Sequence, residues 1–127
     1  MHILVVDDSK SVRDSISQLL TSFGCTVSTA INGLDGFEKA QQTPFNLYIV
    51  DHLMPLMNGV TLSKNLKQTT FCAQIPILFM TTQGKESIEC LPEFNLFNGI
   101  INKPLNEDEF VAQVKRLINK IPSKIAS

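Results

Sequence analysis

The sequence predicts an α/β fold in which a five-stranded parallel sheet lies between two layers of helices. Four short runs are apolar at every residue, at positions 3–6, 47–50, 77–80 and 100–101. Strands buried on both faces have this composition, which is typical of a parallel sheet covered by helices. A mixed segment at 26–31 predicts a fifth strand at an edge of the sheet.

Segments with helical spacing separate these runs, so strands and helices alternate along the chain. Apolar residues that recur three or four positions apart predict helices with one buried face. The apolar residues with this spacing form four groups: Val12, Ile16, Leu19, Leu20 and Phe23; Leu34, Phe37 and Ala40; Val60, Leu62 and Leu66; and Phe110, Val111, Val114, Leu117, Ile118 and Ile121. Five strands alternating with five helices favour right-handed crossovers and a doubly wound sheet.

Two helix boundaries carry specific signals. Asn106, followed three residues later by Glu109, resembles a capping box and predicts the start of the last helix. The fourth helix should begin near Lys85. Pro92 should make it short or kinked, because proline lacks an N–H group and clashes with the preceding turn.

Length and composition limit the possible classes of protein. The 127 residues suit one domain at 1–121, with a tail at 122–127, and the net charge of −1 argues against binding nucleic acid directly. Three cysteines without metal-ligand spacing predict free thiols, buried or half-buried, in a reducing compartment. No run reaches transmembrane length and the start lacks a signal peptide, so we expect a cytoplasmic protein that does not insert into membranes.

Polar side chains follow the predicted strands where the sheet should bind a ligand. Asp7 and Asp8 follow the first strand, Asp51 the third, Thr81 the fourth and Lys103 the fifth. Ligands of open α/β sheets bind beyond the carboxyl ends of the strands, so these side chains should converge. Adjacent carboxylates repel each other unless a cation neutralises them, and Mg²⁺ prefers such oxygen ligands.

Each residue also has a simpler interpretation when it is taken alone. Asp8 or Ser9 could cap the first helix, Thr81 could end a strand, and Lys103 could be a solvated surface charge. The occurrence of all these groups at strand ends is what favours a functional site.

Four motifs in order give the chain a family resemblance over residues 1–121. They are VVDDS at 5–9, DHLMPLMNG at 51–59, Thr81 after the fourth strand, and Lys103-Pro104 after the fifth. Together they resemble the receiver domain of response regulators. The resemblance implies a CheY-like (flavodoxin-like) sheet of order 2-1-3-4-5, with the first and third strands adjacent. It also implies a cis peptide bond before Pro104.

The resemblance assigns a role to each site residue. Asp51 would be the phosphoacceptor, whose carboxylate forms an acyl phosphate. Asp7, Asp8 and Asp51 would hold Mg²⁺ together with the backbone carbonyl of Leu53.

Two further roles concern the response to the phosphoryl group. Lys103 would pair with Asp51 at rest and with the phosphoryl oxygens afterwards. Thr81 would hydrogen-bond the phosphoryl group and pull the loop that leads into the fourth helix.

The implied function is that of a signalling phosphoacceptor rather than an enzyme. A sensor histidine kinase, a phosphotransfer protein or a small phosphodonor would supply the phosphoryl group. The surface made by helix 4, strand 5 and helix 5 would then control a downstream target protein. We expect a stand-alone regulator of chemotaxis or phosphorelay type, a monomer that could dimerise on phosphorylation. The alternative is the N-terminal receiver of a longer regulator with a DNA-binding or enzymatic output domain.

The sequence departs from the family pattern at several positions. Ile100 stands where many relatives have an aromatic residue that swings inward on activation, and Pro92 should alter the shape of the output surface. Leu53 cannot orient an attacking water, which predicts slow self-dephosphorylation. Strand alternation should point His52 away from Asp51, so we do not predict it as a site residue.

Two other α/β classes fit the motifs less well. A haloacid-dehalogenase-like phosphatase would need an Asp-x-Asp motif after the first strand, where this chain has Asp7, Asp8 and then Ser9. A flavin binder would need a phosphate loop rich in hydroxyl groups and glycine at the same place.

Overall fold

The computed structural model describes residues 1–119 and confirms the predicted sheet. All strands are parallel, and their order is β2-β1-β3-β4-β5. Their bounds are β1 His2–Val6, β2 Thr26–Ala30, β3 Leu47–Asp51, β4 Ile77–Thr81 and β5 Gly99–Asn102. The predicted edge position of β2 is correct. The predicted domain boundary at 121 and the tail at 122–127 lie outside the described residues.

Residues 1–119 form five α-helices and one 3₁₀ helix, of which all but the last α-helix connect strands. Their bounds are α1 Lys10–Thr21, α2 Gly33–Gln42, α3 Gly59–Gln68, α4 Lys85–Glu89, the 3₁₀ helix Pro92–Leu96, and α5 Glu107–Asn119. Side-chain oxygens of Ser9, Asn32, Asn58 and Asn106 accept backbone N–H groups in the first turns of α1, α2, α3 and α5. None of these helices is long and apolar enough to span a lipid bilayer.

The core is divided by the sheet into two clusters, one on each face. Alternate strand residues such as Ile3 and Val5 pack with α1 and α5. Their neighbours Leu4 and Val6 pack with α2, α3 and α4. Because the side chains of a strand alternate between faces, the central strands β1, β3 and β4, which are buried at nearly every position, supply both layers. This confirms the doubly wound arrangement.

Helix α4 begins at Lys85 and is short, as predicted: it ends at Glu89, before Pro92, and the proline starts the separate 3₁₀ helix, whose first turn needs no N–H group at that position. Other local expectations are wrong. Leu34, assigned to a buried helix face, is 45% exposed. Ile100 lies on the edge strand β5 and is only half-buried. Cys90 is exposed, whereas Cys25 and Cys72 are half-buried and buried as expected.

Gly59 fixes the end of β3 against the first turn of α3. Its N–H group donates to the carbonyl oxygen of His52 at 2.8 Å. A Cβ at this position would collide with the carbonyl oxygen of Asp51 and would lie 3.0 Å from the ring of Phe79. Only a residue without a side chain allows this approach. The glycine therefore sets how closely α3 packs on the segment that carries Asp51.

Candidate functional site

The three predicted carboxylates meet at the carboxyl ends of β1 and β3. Asp7, Asp8 and Asp51 each offer an oxygen, and these oxygens all lie within 4.8 Å of one another. Asp7 and Asp51 are buried, whereas Asp8 is exposed. The adjacent, parallel pairing of β1 with β3 brings the two strand ends together. The structure thus assembles the acidic cluster that the sequence predicts.

Lys103 reaches this cluster from the loop after β5. Its ammonium nitrogen lies 3.1 Å from Asp7 Oδ2 and 3.2 Å from Asp51 Oδ1. Its backbone N–H donates to the carbonyl oxygen of Thr81 at 2.8 Å, which anchors the loop to the end of β4. The peptide bond between Lys103 and Pro104 is cis. The lysine is thus shared between two carboxylates, and its contact with Asp7 was not part of the sequence prediction.

The turn between β1 and α1 holds Asp7 in place. Its Oδ1 accepts the backbone N–H of Ser9 at 2.9 Å, and its carbonyl oxygen accepts from the Arg13 guanidinium at 2.8 Å. Sequence reasoning did not find Arg13. Its position four residues after the capping Ser9 on α1 is the only signal that could have suggested this contact.

The crowding of charges shows in the pKa values of the cluster. Burial raises the pKa of Asp51 to about 6, and the nearby charges of Asp7 and Asp8 add to this increase, while Lys103 opposes it. Burial tends to lower the pKa of Lys103, but the hydrogen bond with Asp7 and the charge of Asp51 outweigh that effect and the pKa is raised. One ammonium does not fully compensate three carboxylates.

This donor set fits Mg²⁺. The ion is hard, prefers oxygen ligands, and is commonly bound through one or two carboxylates with additional waters. The carboxylate oxygens lie within 4.8 Å of one another, and the charges of Asp7 and Asp8 add to the rise that burial causes in the pKa of Asp51. The side chain of Leu53, two residues after Asp51, is 53% exposed. The proposed role of its backbone carbonyl as a ligand stays a prediction.

Thr81 is fully buried at the end of β4, and its hydroxyl group has two partners. Its Oγ1 accepts the backbone N–H of Gln83 at 2.9 Å and lies 3.0 Å from Nδ1 of His52. The hydroxyl is therefore held in a defined place before any ligand is present.

His52 is the site neighbour that sequence reasoning missed. Alternation along the strand correctly excludes it from the side of Asp51, but it also places His52 on the same face as Val50. Since Asp51 pairs with Met80 in the β3–β4 register, His52 comes next to Thr81. The alternation and the strand order together could have predicted the pair.

Comparison with known proteins places this arrangement in a family. Residues 3–115 match the family model described as the response regulator receiver domain. The chain is 30% identical to the probable transcriptional regulator ycf29 of Porphyra purpurea, covering 92% of this chain and 56% of that protein. It is 26% identical to protein PilG of Pseudomonas aeruginosa, covering 91% and 85%. The chain thus spans only about half the length of some curated relatives.

Solved structures agree with the observed fold. The chemotaxis response regulator CheY4 of Vibrio cholerae superposes with a TM-score of 0.84 at 31% identity, covering 91% of this chain and 97% of that one. The response regulator TrrA of Thermotoga maritima, solved in complex with Mg²⁺ and BeF, gives a TM-score of 0.82 at 26% identity, with the same coverage. From the family model, the shared strand order and these superpositions we conclude that this chain belongs to the response regulator receiver domains.

Proposed function

We propose that this receiver domain accepts a phosphoryl group on Asp51. The observation that carries the proposal is a buried carboxylate at the end of β3, with two further carboxylates and the Lys103 ammonium in direct reach. An oxygen of Asp51 forms a bond to phosphorus while the bond between phosphorus and the donor breaks. With a pKa of about 6, Asp51 is mainly ionised at pH 7, which is the form that can attack.

The surrounding residues supply positioning and charge neutralisation, on which phosphoryl transfer mainly depends. Asp7, Asp8, Asp51 and the Leu53 carbonyl would hold Mg²⁺, which neutralises charge on the phosphoryl oxygens when it is bound. Lys103 already contacts Asp51 at 3.2 Å and would follow the new oxygens.

Thr81 would transmit the change to the output surface. A phosphoryl group brings up to two negative charges and three acceptor oxygens, and the buried hydroxyl of Thr81 could donate to one of them. The loop after Thr81 leads directly into α4, which begins at Lys85. A shift of this loop would alter the surface formed by α4, β5 and α5, which we assign to the target protein.

The partner classes follow from the proposed chemistry and from the relatives. One relative with 30% identity is the hybrid signal transduction histidine kinase D of Dictyostelium discoideum, and this chain covers 8% of it. We propose a histidine kinase or a phosphotransfer protein as donor and a protein as target, in the cytoplasm. We also propose a stand-alone monomer that phosphorylation can dimerise.

The direct test is the intact mass of the purified protein after incubation with acetyl phosphate and Mg²⁺. We expect a gain of one phosphoryl group in the wild type. An Asp51→Asn variant and a sample treated with a metal chelator should gain none. If the wild type gains nothing and does not bind Mg²⁺, the chain is a receiver fold without phosphoacceptor chemistry.

The lifetime of the phosphoryl group tests the role of Leu53. This exposed, apolar side chain offers no hydrogen bond to an attacking water, so we expect slow self-dephosphorylation. A Leu53→Asn substitution should shorten the lifetime, measured as decay of the phosphorylated mass after removal of the donor. An unchanged lifetime would contradict this role.

A second candidate is a receiver that forms part of a longer regulator. It is favoured by the relative ycf29, a probable transcriptional regulator of which this chain covers 56%. The size of the protein in a lysate of its source, detected with an antibody, separates the two: a band near 14.1 kDa supports the stand-alone form.

A further inference from the structure

His52 and Thr81 are in contact next to the site, and the meaning of this contact rests on the phosphoacceptor function proposed above. The two atoms involved, His52 Nδ1 and Thr81 Oγ1, lie 3.0 Å apart. Thr81 is fully buried and His52 is half-buried. Neither residue belongs to the acidic cluster, so the contact is separate from the expected metal ligands.

Counting protons determines which atom donates. Oγ1 of Thr81 already accepts the N–H of Gln83 at 2.9 Å. If Nδ1 of His52 also carried a proton, the hydroxyl oxygen would accept twice and its own proton would have no acceptor among the described contacts. A buried donor without a partner is costly, and no buried side-chain nitrogen or oxygen in the described part of the chain is left without one. Nδ1 is therefore the acceptor, and the imidazole proton sits on Nε2.

We propose that His52 is a positioning residue that holds the hydroxyl proton of Thr81 in the resting protein, so that Thr81 must leave His52 before it can donate to a phosphoryl oxygen. The hydroxyl group has one proton, and the two acceptors compete for it. His52 thereby favours the resting arrangement, and its removal shifts the equilibrium towards the phosphorylated arrangement.

Two phenylalanine rings lie between this histidine and the output side of the molecule. Its ring lies 5.3 Å from the ring of Phe79, centre to centre. Phe79 stacks on Phe97 at 4.0 Å with an angle of 19° between the ring planes. Phe97 lines a groove between α4, β5 and α5 together with Lys85 and Ile100. Release of Thr81 from His52 therefore occurs at one end of a ring stack that reaches the proposed target surface, where Ile100 offers no aromatic ring.

The test compares variants at position 52 by their affinity for Mg²⁺ with beryllofluoride, a mimic of the phosphoryl group. His52→Phe keeps a ring against Phe79 but removes the acceptor, and His52→Asn keeps an acceptor near the position of Nδ1. Loss of one hydrogen bond from the resting state should tighten binding about fivefold in His52→Phe. His52→Asn should bind like the wild type.

A double-mutant cycle identifies the route of the effect. In a Thr81→Val background no hydroxyl remains for His52 to hold, so His52→Phe should change the affinity by less than about twofold. An equal fivefold change in that background would mean that the histidine acts through another contact, and it would overturn the proposal.

Spectroscopy of the wild type keeps the proposal testable if a variant fails to fold. The imidazole nitrogen resonances of His52 should show an unprotonated, hydrogen-bonded Nδ1 at rest, and Nδ1 should lose that bond when Mg²⁺ and beryllofluoride are added. A protonated Nδ1 at rest, or a resonance that does not respond, would overturn it. A wild type that does not bind beryllofluoride contradicts the proposed function as well. Normal binding with no effect of His52→Phe contradicts this inference alone.

Discussion

The two faces of the sheet are covered in different ways. On one face lie α1 and α5, with 12 and 13 residues, and α5 alone buries Phe110, Val114 and Leu117. On the other face, the segment after β4 is divided into α4 and the 3₁₀ helix, with five residues each. This segment buries only Ile88, and α4 is preceded by Gly84, which provides no side-chain cap.

The site residues also lie on different faces of the sheet. Strand alternation places Asp51 on the α1/α5 side, and His52 on the other side, next to Thr81. Regions with little buried apolar surface open at low cost, whereas well-packed helices follow global unfolding. Under the proposed function, Asp51 would receive the charge beside the firmly packed α1/α5 layer, and the response is expected in the segment after β4, which buries little apolar surface.

The largest expected effect comes from truncating a core residue on the firm face. Phe110→Ala should lower the free energy of unfolding by about 3–5 kcal/mol, because the cavity is surrounded by fixed neighbours. Ile88→Ala on α4 should cost less, about 2 kcal/mol, since a five-residue helix can settle into the space. Chemical denaturation of both variants measures the two losses in the free energy of unfolding. Because Phe110→Ala also removes more atoms, Ile16→Ala on α1 is the matched control. Equal losses for Ile16→Ala and Ile88→Ala would show that α4 is packed as firmly as α1.

The next effect concerns the charge of Asp51. Its pKa of about 6 in the folded protein lies above its ordinary value of 3.8, so the folded state binds the proton more tightly than the unfolded chain. The resulting stabilisation is complete below pH 4 and is lost as the pH rises through about 6. At pH 7 without metal, Asp51→Asn should therefore raise the free energy of unfolding by about 2 kcal/mol.

The pH dependence supplies the control for this variant. The gain from Asp51→Asn should shrink towards zero when denaturation is repeated near pH 4, where the wild-type carboxyl is protonated as well. A gain of the same size at both pH values would show that ionisation of the buried carboxyl is not its cause.

A smaller effect is expected from the N-terminal caps, because α5 has a side-chain cap and α4 has none. The side-chain oxygen of Asn106 accepts the N–H of Glu109 at 2.9 Å, so Asn106→Ala should lower the free energy of unfolding by about 1 kcal/mol. Gly84 has a φ of 88° and no side chain to lose. Asparagine tolerates a positive φ better than most other residues. Gly84→Asn should therefore change the free energy of unfolding by less than Asn106→Ala does. The opposite order would contradict the contrast between α4 and α5.

The smallest effect concerns the ion pair that links the two helices. The Nζ atom of Lys85 on α4 lies 3.3 Å from Oε2 of Glu109 on α5, and both side chains are more than a third exposed. Solvent screens such pairs, so Lys85→Ala should cost less than about 0.5 kcal/mol in denaturation experiments. The matched control is Lys10→Ala, which removes the more exposed pair with Asp14 within α1. A clearly larger loss for Lys85→Ala would mean that α4 depends on α5 for its position.

Much of the fold and the site could be predicted because their signals are local. Runs that are apolar at every residue indicate doubly buried strands, and the residues after parallel strands share one edge of the sheet. The meeting of Asp7, Asp8 and Asp51 needs only these two rules.

The remaining features depend on contacts between distant elements. The bond between His52 and Thr81 requires the register of β3 on β4, and the exposure of Leu34 depends on how α2 packs. The shared position of Lys103 between two carboxylates depends on where a loop crosses the strand ends. These contacts depend on tertiary packing. The spacing of residues along the chain does not predict them.

The position of Lys103 also affects how the site forms during synthesis. The lysine is 96 residues from Asp7 and 52 from Asp51, and β4 separates its strand from β3. A growing chain exposes its carboxylates long before the ammonium that balances them has left the ribosome. Contacts between such distant residues form only after much loop entropy has been lost. The charge balance of the site therefore arises late, once β5 has joined the sheet, and nascent chains that end before Lys103 carry its acidic half alone.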